Sequence, residues 1–155
     1  MQKLKILNTR DIKKLKELLI KEFGCSLEKG YVYLKNEKNR VFIINRDISK
    51  VKLENLRVDR FGLYFAEWKN NQVRLSKEGS QLLVKEGKRK IKNLIELKDH
   101  EVKEYFQGND LDQDLGEESR LVILKYQDNI LGCAKYKEQR ILNFLPKIHR
   151  REVII

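Results

Sequence analysis

The stretch Leu121–Leu145 reads LVILKYQDNILGCAKYKEQRILNFL. Three apolar runs lie close together in it: Leu121–Tyr126, Ile130–Tyr136 and Arg140–Phe144. Each is the length of a strand and rich in branched and aromatic residues. The polar pairs Asp128-Asn129 and Glu138-Gln139 separate them and read as tight turns. Pro146, the only proline, ends the third run. Val153-Ile154-Ile155 reads as a final strand. Short strands joined by tight turns in the last third of the chain predict a small β-barrel.

Upstream of this barrel, Asn109–Ser119 is polar, acidic and turn-rich, and His100–Phe106 reads as a short helix ending near Gly108. Glu86-Gly87-Lys88-Arg89-Lys90 is polar, holds a glycine and three consecutive cations, and reads as a linker. The expected division is therefore an N-terminal domain over residues 1–90 and a barrel domain over 91–155.

The first domain carries both helix and strand signals. Asn8 or Thr9 caps a helix whose apolar positions Ile12, Leu15, Leu18, Leu19 and Phe23 recur at helical spacing, and Gly24 closes it. Tyr31–Leu34 and Arg40–Ile44 flank the turn Asn36–Asn39 as a hairpin. Asp47 caps a short helical turn through Val51, and Leu56–Phe61 alternates like a strand. Leu63–Trp68 and Val73–Leu75 read as two further strands around Asn70-Asn71. Ser76 then caps a helix from Lys77 to about Val84. Gly79 weakens that helix by roughly 1 kcal/mol relative to alanine. The expected fold is α+β: a mixed α/β front domain, then the barrel.

The 155 residues include 34 Lys/Arg and 23 Asp/Glu, a net charge of +11. That excludes an acidic solvating chain and points to a polyanionic partner. The charge is uneven. Residues 1–90 hold 23 basic and 11 acidic residues, residues 91–134 hold 5 and 10, and residues 135–155 hold 6 and 2. Cys25 and Cys133 form no disulfide framework, which fits a reducing compartment. The first residues lack an apolar signal segment, and no run is long enough to span a membrane. A cytoplasmic protein with no membrane partner is expected.

Familiar catalytic motifs do not occur. The sequence holds no G-x-G-x-x-G, P-loop or nucleophile elbow. Cys25, Cys133, His100 and His149 lack zinc-ligand spacing. The acidic run with Asp110, Asp112 and Asp114 lacks the glycine and terminal glutamate of a calcium loop. No catalytic residue, metal or cofactor is expected.

What remains is Gly132–Arg151, GCAKYKEQRILNFLPKIHRR. Lys135, Lys137, Lys147, Arg150 and Arg151 supply charge for salt-sensitive phosphate contacts. Tyr136 and Phe144 either fill the barrel or stack unpaired bases, and Asn143 offers an amide to a base edge.

This segment resembles the closing motif of the PUA-like RNA-binding region of Nol/Nop/Fmu-type rRNA 5-methylcytosine methyltransferases. The matching residues are Leu131-Gly132, Lys135, Arg140, Asn143, Pro146-Lys147 and Arg150-Arg151. Tyr105–Leu111, YFQGNDL, is similar to that family's aromatic-x-x-Gly-x-x-Leu segment. The layout also resembles the two-domain ribosome-biogenesis factors of the Nip type. Ile148-His149 departs from the usual Gly-Leu pair. The resemblance implies RNA binding by Lys135, Arg140, Asn143, Lys147, Arg150 and Arg151. Gly108 would admit the RNA backbone, and Lys88, Arg89 and Lys90 would extend the charged surface. It implies rRNA or tRNA as partner, in ribosome biogenesis or RNA modification, alongside pre-ribosomal proteins. The cofactor domain and Pro-Cys pair of the methyltransferases are absent from the sequence, so binding without catalysis is expected. The alternative is an accessory subunit that recognises RNA for a separate methyltransferase, through a protein-binding patch around Tyr64, Phe65 and Trp68.

Overall fold

The structure is a computed structural model that describes residues 3–28, 30–45 and 62–154. The helical turn expected at 47–51 and the strand expected at 56–61 lie outside the described residues. The chain divides into two compact units, Met1–Ile91 and Lys92–Ile155. Both combine helices with sheets, so the protein is α+β.

The first unit is an antiparallel meander. Strands β1 (Leu4–Ile6), β2 (Tyr31–Asn36), β3 (Arg40–Asn45), β4 (Leu63–Lys69) and β5 (Gln72–Leu75) lie in the order of the chain. Every pairing is antiparallel. The expected mixed α/β architecture is corrected here to a sheet with attendant helices. Tight hairpins join β2 to β3 and β4 to β5, and a helix lies between β1 and β2; with no parallel pair among these strands, neither that helix nor the one after β5 is the crossover of a parallel unit.

Helix α1 (Thr9–Phe23) starts where the Asn8 side chain accepts from the Asp11 N–H at 2.9 Å. It stops at Gly24, whose φ of 82° lets its N–H reach the Ile20 carbonyl. Leu15, Leu19 and Phe23 are fully buried, each contributing roughly 1.5–3 kcal/mol relative to exposure. Ser76 caps helix α2 (Lys77–Gly87) by accepting from the Gly79 N–H at 2.8 Å. Gly79 has a positive role: a Cβ there would collide with the Phe65 carbonyl oxygen. The glycine lets α2 lie directly on β4.

The expected linker at Glu86–Lys90 is ordered instead. Helix α2 runs through Gly87, and Lys88–Lys90 form a 3-10 turn. The Glu86 carboxylate accepts from the Glu28 N–H and the Tyr31 hydroxyl, both at 3.0 Å. Gly87 packs against Cys25, where a Cβ would meet the sulfur. Composition alone read these residues as loose because their anchoring partners lie far away in sequence.

The second unit contains β6 (Leu94–Glu96), α3 (Asp99–Phe106), β7 (Leu111–Asp112), β8 (Arg120–Tyr126), β9 (Asn129–Lys137) and β10 (Arg140–Leu142). The sheet order is β6-β8-β9-β10-β7, with β6 parallel to β8. Its edges do not pair with one another among the described residues, so it is a curled half-barrel. Its core joins Leu97, Val102 and Tyr105 to Val122, Leu124, Ala134, Tyr136 and Ile141. The first hairpin turns at Gln127-Asp128 rather than Asp128-Asn129, because Asn129 already pairs with Tyr126. Glu138 and Gln139 turn the second, both with positive φ, the twist a two-residue hairpin needs. Val153-Ile154 is not a strand. Val153 packs partly buried against the core, which explains its apolar character.

Candidate RNA-binding interface

The motif residues lie around the end of α3 and the strand β10. Tyr105 and Phe106 close α3, and the chain then bends through Gly108 at φ +89°. Helix ends leave carbonyls without partners, and here the C-terminal part of the chain supplies several. The Asn143 side-chain N–H₂ donates to the carbonyls of Tyr105 and Asn109, each at 2.8 Å. Its side-chain oxygen accepts from the Leu145 N–H, and its own N–H donates to Asp110. The Arg151 N–H donates to the Phe106 carbonyl at 2.8 Å.

Three expectations change as a result. Asn143 is not an amide waiting for a base edge: both ends of that amide are already used to tie β10 to the turn after α3. Gly108 does not leave room for an RNA backbone. The Arg150 side chain fills that space, and a Cβ on Gly108 would lie 2.6 Å from its guanidinium carbon. Tyr136 is core, fully buried, its hydroxyl donating to the Gly116 carbonyl at 2.6 Å and accepting from the Leu115 N–H. Phe144 is partly buried. Tyr105 is also buried, which pushes its phenol up to about 12.

The cations form two groups. Arg140 begins β10 opposite Lys137, and its guanidinium meets the Asp112 carboxylate at 3.3 Å across an exposed surface. An exposed pair of this kind is worth well under 1 kcal/mol, so it yields readily to a phosphate. Lys135 lies two residues earlier, partly buried opposite Leu142. The second group follows β10. Pro146 starts a 3-10 turn over Lys147–His149, and Lys147, Arg150 and Arg151 are all exposed. Arg150 and Arg151 stand at the negative end of the α3 dipole, which favours cations there and balances part of their charge. The length of β10, about 10 Å, separates Arg140 and Lys137 from the second group, whereas Lys135 lies opposite the far end of the strand. Lys88, Arg89 and Lys90 are exposed and belong to the first unit.

Asp110 and Asp112, part of the polar, acidic run in the sequence, organise the motif. One holds the Asn143 backbone and the other holds Arg140. The available signal was their position on either side of the apolar Leu111, which is buried while both carboxylates stay exposed. Arg120 was also missed. It donates to Asn93 and to the carbonyls of Leu115 and Glu118, and it lies 5.1 Å from the Tyr136 ring centre. Its charge is used to hold the loop before β8.

Residues 92–151 match the family model described as the methyltransferase RsmF PUA domain. Those 60 residues of 155 cover nearly all of the second unit and none of the first. The second unit is thus a PUA domain resembling the RNA-binding region of Fmu/RsmF-type methyltransferases. No curated protein matches the chain.

Proposed function

We propose that the protein binds structured rRNA or tRNA through its PUA domain, in the cytoplasm, during ribosome assembly or RNA modification, and performs no reaction of its own. The observation that carries this reading is the exposure of Lys147, Arg150 and Arg151 on one short segment inside the family-matched span. Arg140 and Lys137 add a second point of phosphate contact at the far end of β10. Two separated contacts suit a duplex backbone read by shape, with modest sequence preference. The lack of nucleotide-binding or nucleophile motifs in the sequence supports a role in binding. Contact with about five phosphates gives a log-log salt slope near −4. Filter binding on rRNA fragments at graded salt tests this, and a slope near zero rejects it.

A second reading is favoured by the match itself, since the matched model describes part of a methyltransferase. In that reading the protein delivers RNA recognition in trans to a separate enzyme. The surface first expected for it is not formed: Phe65 is fully buried and Trp68 nearly so. Co-purification of a methyltransferase, or its stimulation by this protein, would distinguish the two readings.

A further inference from the structure

The sheet of the first unit has two unlike faces. On one, Tyr33, Val41, Ile43, Ala66, Trp68, and the pair Val73 and Leu75 are buried. On the other, strand register sets charged and aromatic side chains in rows. Arg40 pairs with Glu67, and Glu67 with Arg74, so an arginine flanks the glutamate on either side. The next row is Phe42 beside Tyr64, with ring centres 5.6 Å apart. The Arg40 guanidinium lies 5.5 Å from the Tyr64 ring centre.

A bulge creates this arrangement. Val41 pairs with Ala66 but Phe42 pairs with Tyr64, leaving Phe65 as the extra residue. Without that extra residue Tyr64 and Glu67 would face opposite ways. The face is not open throughout, because Leu34 and Ile44 are buried on it. The open part spans β3 to β5, where Arg40, Gln72 and Arg74 are exposed and Phe42, Tyr64 and Glu67 are partly exposed.

We infer that this open quarter of the sheet, centred on Tyr64, is a second nucleic-acid site that takes single-stranded RNA. Aromatic rings on a sheet stack bases of any sequence, and arginine planes beside them extend the stack. Charge complementarity selects RNA over an uncharged partner, since the first unit holds 23 basic and 11 acidic residues. Burial raises the Tyr64 phenol, Arg40 and Arg74 draw it down, and Glu67 raises it. This site lies wholly outside the family-matched residues and does not depend on the C-terminal cations.

The test uses the full chain and a labelled oligouridine, read by fluorescence anisotropy. Tyr64→Leu is expected to weaken binding roughly 5- to 150-fold, the range for one lost stacking partner. Tyr64→Phe keeps the ring and is expected to bind like the parent. Arg40→Gln, at an exposed position, is expected to make the salt slope shallower by about 0.7. It also keeps the question answerable if Tyr64→Leu fails to fold. Unchanged oligouridine binding in folded Tyr64→Leu, or in Arg40→Gln, overturns the inference and leaves this face to a protein partner. Neutralising Lys147 and Arg151 probes the PUA domain separately, so the two sites can fail independently.

Discussion

The two units of this protein divide recognition and charge in an unexpected way. The PUA domain has the family match, yet residues 92–155 hold 11 basic and 12 acidic residues, almost a neutral balance. The first unit lies outside the matched residues and holds the whole excess, 23 basic against 11 acidic. Net charge alone would therefore point to the first unit and pass over the domain with the family match. Within the PUA domain the arrangement matters more than the total. Its carboxylates lie mainly on α3 and the loops beside it, where several make defined hydrogen bonds, and its cations concentrate after Lys135.

The units also differ in how they hold themselves together. In the first, a helix presses on a strand through one glycine. Gly79→Ala is expected to produce the largest loss, about 3 kcal/mol, because its Cβ meets backbone that cannot yield. Chemical denaturation measures it. A loss below about 0.5 kcal/mol, typical of an unconstrained surface site, would show that α2 can shift off β4 without cost.

Two buried tyrosines sharpen the contrast. Tyr136 in the PUA domain has a hydroxyl bonded on both sides, to Gly116 and Leu115. Tyr136→Phe is expected to cost about 1–2 kcal/mol in the same assay, the worth of those bonds once water reaches the freed groups. Tyr33 in the first unit is just as buried, but its hydroxyl has no hydrogen-bond partner among the described residues. Tyr33→Phe is therefore expected to leave stability unchanged or raise it by up to about 1 kcal/mol. Equal losses at the two positions would erase the distinction between a satisfied and an unsatisfied core hydroxyl.

Regular periodicity made much of the fold legible. Helix α1 followed from its apolar spacing and both caps, and β8, β9 and β10 from runs broken by polar pairs. The failures share a cause. The bulge at Phe65 interrupts alternation, so a continuous aromatic patch was read where the structure separates Tyr64 from Trp68. The short strands β1 and β6 are stabilised by distant pairing, with Leu4 opposite Asn36 and Leu94 beside Ile123. At the candidate site, the type of residue was legible but its role was not. Asn143, Gly108 and Arg150 fit an RNA-binding pattern, yet each is first of all part of a hydrogen-bonded or packed corner. Only coordinates separate a side chain that meets a ligand from one that shapes the surface a ligand meets.

The central claim is that exposed cations on both sides of β10 grip the RNA backbone. Replacing Arg140, Lys147 and Arg151 together by glutamine leaves the Asn143 network untouched and removes three phosphate contacts. On an rRNA fragment the log-log salt slope of the triple variant is expected to be shallower than the parent's by about 2 to 3. An identical slope for the two proteins would contradict the claim.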